Sequence, residues 1–389
     1  MLNKRASIRP FKISVSDSEI HDLHQRLDHA RWPEEATVSD WSQGVPLSVV
    51  QDLCAYWRHD YDWRRCEDVL NSYPHFKTEI DGVDIHFWHI RSKHHDALPM
   101  IMTNGWPESI VTFLKLIDPL IDPTRHGGKA EDAFHLIIPS MPGYGFSGKP
   151  KKSGWTSAKM AVAWAELMGR LGYTRYVAQG GDWGADIVAE LASNSPPPAL
   201  VAVHFNTLFF DAKKETSQAK GRLTEGEQHA LALLEKWDRA ESAYMLQYAT
   251  RPQTLGYALS DSPSGLLAWI FEKISAWSQD EPGKHKDVLT MLTKDEILDN
   301  VMVYWWTNTL TSSTRLYWEN PDACDLPIRL PVGVSQFQGE NGYVPKHWAE
   351  RYYSNIVHWH ELKKGGHFAP WTVPQLFVKE LRECFALVR

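Results

Sequence analysis

The sequence YVAQGGDWGADIVAEL, residues 176–191, decides the fold of this 389-residue chain. An apolar run opens it, the turn Gly180-Gly181-Asp182-Trp183-Gly184 follows, and an amphipathic run closes it. This order predicts a buried strand, a tight turn and a helix. The turn fits the pattern G-x-nucleophile-x-G, in which glycines permit the sharp connection and the central side chain is held above the sheet. That central residue is an aspartate, Asp182.

The sequence around this unit predicts a larger α/β architecture. Strand patterns alternate with helical patterns from FKTEIDGVDIHFWHIR, with a hairpin expected at Asp81-Gly82, to ALVAVHFN. Strand patterns return at LPVGVSQFQGE and NIVHWHELKKGGH, before a closing helix. This alternation predicts a mostly parallel sheet with helices on both faces.

Four regions are expected along the chain. They are a helical, Trp-rich N-terminal extension (1–75), a first part of the α/β core (76–205), a helical insertion (206–320) and the last part of the core (321–389). The insertion, lying over the carboxyl edge of the strands, would form a lid.

The composition excludes several classes of function. With a net charge of −7 and no basic stripe, the chain is not expected to bind nucleic acid. The four cysteines show no C-x-x-C spacing, which argues against a metal or disulfide framework. No signal-like start and no apolar run approaching 18 residues occurs. We therefore expect a soluble, cytoplasmic protein without a transmembrane segment.

An aspartate at the elbow changes the chemistry that a serine would perform. A carboxylate with a reference pKa near 3.9 is already ionised at neutral pH and needs no base to attack. It is suited to displacement at a saturated, activated carbon, and the product is an ester of Asp182. The alternative is a Gly-rich turn in which Asp182 only caps the following helix.

Hydrolysis of such an ester requires a base, and the chain order of the elbow pattern places a histidine late in the sequence. KKGGHFAPW puts His367 in a glycine-containing loop after a late strand. QFQGENGYVP puts Glu340 after the preceding strand, where it could orient His367. Asp322 and Asp325 are rivals for that role, but they precede the strand.

Two further patterns bear on the site. TNGWPES follows an early strand, so the backbone N–H groups of Trp106 and Trp183 could form an oxyanion hole. His358 and His360 alternate along a strand in HWH, and we interpret them as structural residues, not metal ligands.

With these residues the sequence resembles the α/β-hydrolase epoxide hydrolases of the microsomal type, which carry an N-terminal extension. The resemblance covers nearly the whole chain. It rests on NGWPES, PSMPGYGFSGKP, QGGDWGADI, RPQTLGYALSDSPSGLLAWIFEKISAW, NVMVYWWTNTLTSSTRLYWEN, PVGVSQFQGE and GGHFAPW.

The resemblance implies Asp182 as nucleophile, His367 as base and Glu340 as its acid partner. It also implies two lid tyrosines that bond the epoxide oxygen, Tyr244 in SAYMLQYATRP and Tyr317 in SSTRLYWEN. Spacing alone does not select them from the 14 tyrosines, because Tyr257 and Tyr304 are as plausible.

Two departures from the family pattern stand out. Asn104 replaces the histidine that usually opens the oxyanion turn, and activity is expected to survive because the donated group is a backbone N–H. The start MLNKRASIRPF carries no membrane anchor, which favours the soluble members.

The expected activity is conversion of an apolar epoxide, with aromatic epoxides among the candidates, and water to a vicinal diol. No metal or organic cofactor is expected, and a homodimer is one option for assembly. The alternatives are a haloalkane dehalogenase, in which Trp183 and Trp106 could bind halide, and an inactive ligand-binding relative. Detoxifying and biosynthetic roles look alike in the sequence.

Overall fold

A computed structural model of the protein describes residues 7–217, 221–280, 287–320 and 326–389. These residues form one central sheet with helices on both faces and a helical insertion above it. Asp322 and Asp325 lie outside the described residues.

The sheet of the described chain has nine strands in the order β1-β2-β3-β5-β4-β6-β7-β8-β9. From β5 to β9 all neighbours are parallel, whereas β1, β2 and β3 pair antiparallel at one edge. The strands are β1 (Arg9–Phe11), β2 (His75–Ile80), β3 (Val83–Ile90), β4 (Leu98–Thr103), β5 (Phe134–Pro139), β6 (Tyr176–Gly180), β7 (Leu200–Phe205), β8 (Val332–Gly339) and β9 (Ile356–Gly366). The predicted fold class is confirmed.

The helices divide into three groups along the chain. The N-terminal group is α1 (Asp17–Asp28), α2 (Leu47–His59) and α3 (Trp63–Asn71). The core group is α4 (Leu114–Ile121), α5 (Ser157–Arg170), α6 (Trp183–Ala192), α14 (Lys346–Ala349), α15 (Ala369–Thr372) and α16 (Pro374–Ala386). The group between β7 and β8 is α7 (Ala212–Ser217), α8 (Glu225–Ala240), α9 (Ala243–Thr250), α10 (Pro252–Asp261), α11 (Pro263–Trp277), α12 (Lys294–Thr307) and α13 (Leu310–Glu319).

The hairpin between β2 and β3 forms where the sequence predicts it. Asp81 has φ 47° and Gly82 has φ 78°, the pair of positive φ values that a type I′ turn needs. The turn sets Ile80 opposite Val83 and fixes the register of the whole pair.

The N-terminal segment contains a strand that the sequence analysis missed. The three-residue strand β1 pairs with β2 inside a region expected to be helical. The pattern RPF is too short to show a period of two, and the strand owes its place to the exposed edge of β2.

The N-terminal helices are bonded to lid helix α12. Tyr61 Oη donates to Asp299 Oδ1 at 2.7 Å, and Arg65 Nη2 donates to the same oxygen at 2.6 Å. Tyr56 Oη donates to Asp295 Oδ1 at 2.8 Å, one turn earlier on α12. These hydrogen bonds join the N-terminal helices to one side of the helical insertion.

Membrane-spanning helices are absent from the described part of the chain. None of its helices combines the length and the apolar character needed to cross a bilayer.

Candidate active site

The turn between β6 and α6 holds Asp182 in a strained conformation. Its φ of 50° and ψ of −133° lie outside the regions that residues with a side chain prefer. A Cβ on Gly180 would collide with the carbonyl oxygen of Gly184, and a Cβ on Gly184 would collide with that of Thr103. The two glycines therefore let the helix start close enough to the strands to form the elbow.

The Asp182 carboxylate lies against Trp106 and His367 and does not cap α6. Its side chain makes no capping hydrogen bond, so the capping alternative is wrong. The backbone N–H of Trp106 donates to Asp182 Oδ1 at 2.8 Å, and Asp182 Oδ2 lies 3.5 Å from His367 Nε2. Only 9% of the surface of the Asp182 residue is exposed, so its carboxylate lies in a nearly closed site.

His367 and Glu340 form a buried pair at the ends of β9 and β8. His367 Nδ1 lies 2.7 Å from Glu340 Oε1. Thr207 Oγ1 donates to Glu340 Oε2 at 2.9 Å, and the Asn341 N–H donates to Oε1 at 2.8 Å. Because three groups fix the carboxylate, Glu340 holds the imidazole with Nε2 toward Asp182.

The charge on His367 depends on its two carboxylate neighbours. Burial lowers the pKa of His367, but the charge of Glu340 and the hydrogen bond and charge of Asp182 outweigh burial and raise the pKa well above its ordinary value. The imidazolium is therefore favoured while Asp182 is an anion. His367 Nε2 is buried and makes no hydrogen bond among the described residues, and its neighbour Asp182 Oδ2 lies 3.5 Å away.

The two residues predicted for the oxyanion hole flank Asp182, the predicted nucleophile. The Trp106 N–H already points at an Asp182 oxygen. Trp183 is the first residue of α6, where a helix has N–H groups without intrahelical partners. Asn104, buried at 3% exposure, donates from Nδ2 to the Gly105 carbonyl at 2.9 Å and so braces the turn that carries Trp106.

Two lid tyrosines meet above these groups. The Tyr244 ring stacks on Trp106 with centroids 5.0 Å apart, and the Tyr317 ring meets Trp183 edge-on at 4.9 Å. The rings of Tyr244 and Tyr317 are 5.8 Å apart. Burial, with the charge of Asp182 as a smaller contribution, raises the pKa of Tyr244, and burial likewise raises that of Tyr317. Both are neutral donors, and the Tyr317 hydroxyl has no hydrogen-bond partner within the described chain.

The structure separates these tyrosines from those that spacing left equally plausible. Tyr257 is 74% exposed on the outer surface of the lid. Tyr304 is buried, but its hydroxyl donates to the Glu108 carbonyl at 2.8 Å. Tyr257 therefore lies outside the site, and the Tyr304 hydroxyl already donates its hydrogen bond to the Glu108 carbonyl.

Glu108 is a residue of the site that the sequence analysis missed. Its Oε2 accepts the Gly105 N–H at 3.2 Å, whereas Oε1 has no hydrogen-bond partner in the described ranges. Burial raises its pKa to about 7, with His367 opposing and Asp182 reinforcing the shift. The only signal in the sequence is its place in NGWPES, beside the oxyanion turn.

Tyr144, in the loop after β5, was also missed. It is 3% exposed, and its hydroxyl has no hydrogen-bond partner in the described part of the protein. Burial, with the charge of Asp182 next, raises its pKa well above the ordinary value. Its sequence signal is PSMPGYGFSGKP, which the family resemblance uses without assigning the tyrosine a role.

Aromatic rings enclose the reacting groups and a cleft adjoins them. The Trp277 ring lies 5.3 Å from His367 and 5.3 Å from Tyr244. A cleft of about 470 Å³ opens between the N-terminal segment and helices α8 and α11, and Trp237 forms its inner wall. The ring centroids of Trp237 and Trp277 lie 5.6 Å apart, so this pair of rings lies between the cleft and the site.

Comparisons with known proteins agree with this geometry. The family profile "Epoxide hydrolase N terminus" matches residues 8–113, and the profile "alpha/beta hydrolase fold" matches residues 99–324. The chain is 52% identical over 385 residues to an epoxide hydrolase homologue of Stigmatella aurantiaca, which covers 98% of this chain and 86% of that protein. It is 36% identical over 409 residues to epoxide hydrolase 1 of Sus scrofa, with 98% and 89% covered.

Solved structures give the same assignment. The juvenile hormone epoxide hydrolase of Bombyx mori superposes with a TM-score of 0.88 at 32% identity, covering 98% of this chain and 94% of that one. The Aspergillus niger epoxide hydrolase gives a TM-score of 0.85 at 31% identity, with 98% and 97% covered. The fold, the aspartate elbow and these relatives together establish that the chain belongs to the epoxide hydrolase family of the α/β-hydrolase fold.

Proposed function

We propose that this epoxide hydrolase works through a covalent ester of Asp182. The observation that carries the proposal is the position of Asp182, which lies between a backbone donor and His367 and beneath two buried tyrosines. A nucleophile, a base and two acid groups thereby surround one small space.

In the first step, one oxygen of Asp182 attacks an epoxide carbon. The carbon–oxygen bond of the ring breaks, and its electron pair moves to the epoxide oxygen. Tyr244 and Tyr317 donate hydrogen bonds to that oxygen, and one of them gives it a proton. Their raised pKa values keep both hydroxyls protonated at neutral pH.

In the second step, His367 becomes the base because the first step changes its surroundings. The ester of Asp182 is neutral, so the hydrogen bond and charge of Asp182 no longer raise the His367 pKa. The imidazolium gives up its proton, which restores the tyrosine that protonated the epoxide oxygen, and the neutral imidazole accepts a proton from water. The resulting hydroxide attacks the Asp182 carbonyl carbon, and the N–H groups of Trp106 and Trp183 bind the oxyanion. The bond from that carbon to the diol oxygen then breaks, the imidazolium gives its proton to that oxygen, and the acid form of Asp182 returns a proton to His367 as the diol leaves.

The substrate is proposed to be an apolar epoxide. The rings of Trp106, Trp183 and Trp277 pack against the two tyrosines and form an aromatic surface beside Asp182. Such a surface favours aryl or long alkyl groups. Turnover of a panel of aryl and alkyl epoxides, with chiral analysis of the diols, measures this preference.

Single turnover in oxygen-18 water tests the covalent step. The epoxide is attacked by an Asp182 oxygen, which leaves in the diol and is replaced from solvent. We expect the label on the peptide that carries Asp182. Label found only in the diol would mean direct attack by water, and a labelled epoxide that binds without yielding diol would support the inactive ligand-binding alternative.

One observation favours haloalkane dehalogenation as a second candidate. The Trp106 Nε1 is buried and has no hydrogen-bond partner among the described residues, as a halide-binding indole would before it binds halide. The two tyrosine donors fit an epoxide oxygen better. Halide release from a chloroalkane without turnover of any epoxide would favour the dehalogenase.

The place of action and the assembly stand as proposals. We propose a cytoplasmic location, with a homodimer as one option for assembly. Subcellular fractionation and light scattering after size-exclusion chromatography test them, and a monomer across the micromolar range would rule out the dimer.

A further inference from the structure

A second group of histidine and glutamate side chains lies far from the active site, between β9 and α16. His358 Nε2 and His360 Nδ1 each lie 2.9 Å from Glu380 Oε2. One ligand atom from each of the three residues lies within 4.8 Å of the others. His360 precedes His367 by seven positions on an extended strand, so roughly 20 Å separates this group from the catalytic base.

The chemistry of this group is that of a metal site. We propose that His358, His360 and Glu380 bind a divalent transition metal ion of the zinc type. Two imidazoles and one carboxylate are a common set of protein ligands for Zn²⁺, which leaves a coordination position for water. The sequence analysis interpreted His358 and His360 as structural residues, because the HWH pattern does not show that Glu380 lies opposite both histidines. The position of Glu380 in the structure changes that interpretation.

The crowding of donors on one oxygen supports the proposal. Ser335 Oγ also donates to Glu380 Oε2, at 2.9 Å, so three groups converge on a single carboxylate oxygen. The two imidazole rings lie with centroids 4.1 Å apart, and each presents a nitrogen to the same carboxylate oxygen. A metal ion bound there would take one lone pair from each imidazole and one from the carboxylate.

The ligand atoms must shift before they fit the ion. Zn–N and Zn–O bonds of about 2.0–2.2 Å put tetrahedral ligand atoms roughly 3.3 Å apart. The nitrogens, each 2.9 Å from Glu380 Oε2, must therefore move away from that oxygen by a few tenths of an ångström. The two nitrogens lie within 4.8 Å of each other and must come to about the same separation. The His360 side chain is 45% exposed, which gives the ion a path from solvent, whereas His358 and Glu380 are buried.

The surroundings provide the outer hydrogen bonds that metal sites usually have. Ser335 holds Glu380 from the core side, and His204 Nε2 lies 3.0 Å from Ser335 Oγ. Such outer bonds orient the ligands, and their loss commonly lowers metal affinity by roughly 10-fold to 100-fold. The bound ion would join the last helix to the last strand and stabilise the fold without touching the substrate.

Titration of the EDTA-dialysed protein with Zn²⁺ tests the proposal. We expect one ion per chain and a melting temperature that rises by several degrees with Zn²⁺. His360→Ala should weaken binding at least 100-fold and abolish the thermal shift while epoxide turnover stays at the parent value. Glu380→Gln should also abolish binding, and Co²⁺ should give visible absorption bands in the parent protein that the variants lack.

His347→Ala is the matched control. His347 is also 45% exposed and also pairs with a buried glutamate, Glu227, at 3.1 Å, but it lies outside the group. It should bind Zn²⁺ like the parent protein. Absence of binding in the parent, or equal binding in His360→Ala and His347→Ala, would overturn the proposal.

Discussion

The core and the lid contribute to the active site in different ways. The core residues Asp182, Glu340 and His367 follow the carboxyl ends of three parallel strands, and hydrogen bonds or backbone strain fix each of them. The lid residues Tyr244 and Tyr317 lie within helices α9 and α13, and ring packing holds them. The order of the parallel strands thus positions the charged groups. The packing of helices in the insertion positions the neutral tyrosine donors.

This difference divides the reaction between the two regions. In the proposed mechanism the lid donors act on the epoxide oxygen in the first step, whereas His367 and Glu340 act on the water of the second. Variants of the lid should therefore slow ester formation, and variants of the core base should slow ester hydrolysis. Five substitutions follow in order of decreasing expected effect, and the first four test this division.

His367→Gln should give the largest effect. Asp182 needs no base to attack, so the ester forms, but its hydrolysis should slow by roughly 10²-fold to 10⁴-fold without general-base assistance. Mass spectrometry should find intact protein heavier by one substrate, with the adduct on the Asp182 peptide. His360→Gln, the same change in the middle of β9, should accumulate no adduct. A folded His367→Gln protein that forms no adduct at saturating epoxide would contradict the division.

Tyr244→Phe and Tyr317→Phe should each slow ester formation. Loss of one preorganised donor to a developing alkoxide commonly costs on the order of 10²-fold in rate. Stopped-flow Trp fluorescence measures the step, and ester hydrolysis should change less. Tyr304→Phe is the control, because its hydroxyl is bonded to the Glu108 carbonyl at 2.8 Å. Equal alkylation rates in all three variants would mean that the lid tyrosines are wrongly chosen.

Glu340→Gln should slow ester hydrolysis less than His367→Gln does. A hydrogen bond to a charged group contributes about 1.5–3 kcal/mol, so a loss of roughly 10-fold to 10²-fold is expected. Adduct should accumulate to a smaller extent. Glu380→Gln, another buried glutamate paired with histidine, should leave the rate unchanged. Hydrolysis at the parent rate in Glu340→Gln would remove Glu340 from the mechanism.

Glu108→Gln should give the smallest change in rate and a clear change in pH dependence. The pKa of Glu108 is raised from 4.5 to about 7, so the folded protein binds its proton more tightly than the unfolded chain does. Stability from this group is present below pH 4.5 and is lost as the pH rises toward 7, by up to about 3 kcal/mol. The variant should lack this loss in urea unfolding measured from pH 5 to 8. Parallel pH profiles for the two proteins would show that Glu108 does not titrate there.

The core part of the site could be predicted because it depends on short-range patterns and chain order. The elbow glycines around Asp182, and the loops that carry Glu340 and His367, each follow a strand pattern, and parallel strands bring their carboxyl ends to one edge. The structure places these three side chains together as the sequence analysis expects.

The rest depends on packing that one sequence does not show. Tyr244 and Tyr317 come from helices whose mutual positions spacing does not fix, and only the family resemblance selected them. Glu108 looks like an ordinary loop glutamate until its burial is known. The strand β1 forms because the edge of β2 is open to it, not because three residues have a strong preference.

The hydrogen bonds from the N-terminal helices to Asp295 and Asp299 have a consequence for turnover. They connect α12 to the N-terminal helices, so movement of α12 that admits substrate or releases diol must first break these hydrogen bonds, of which the Tyr61–Asp299 bond is buried. We therefore expect slow amide hydrogen exchange in α12, and faster exchange there when Tyr61 is replaced by phenylalanine.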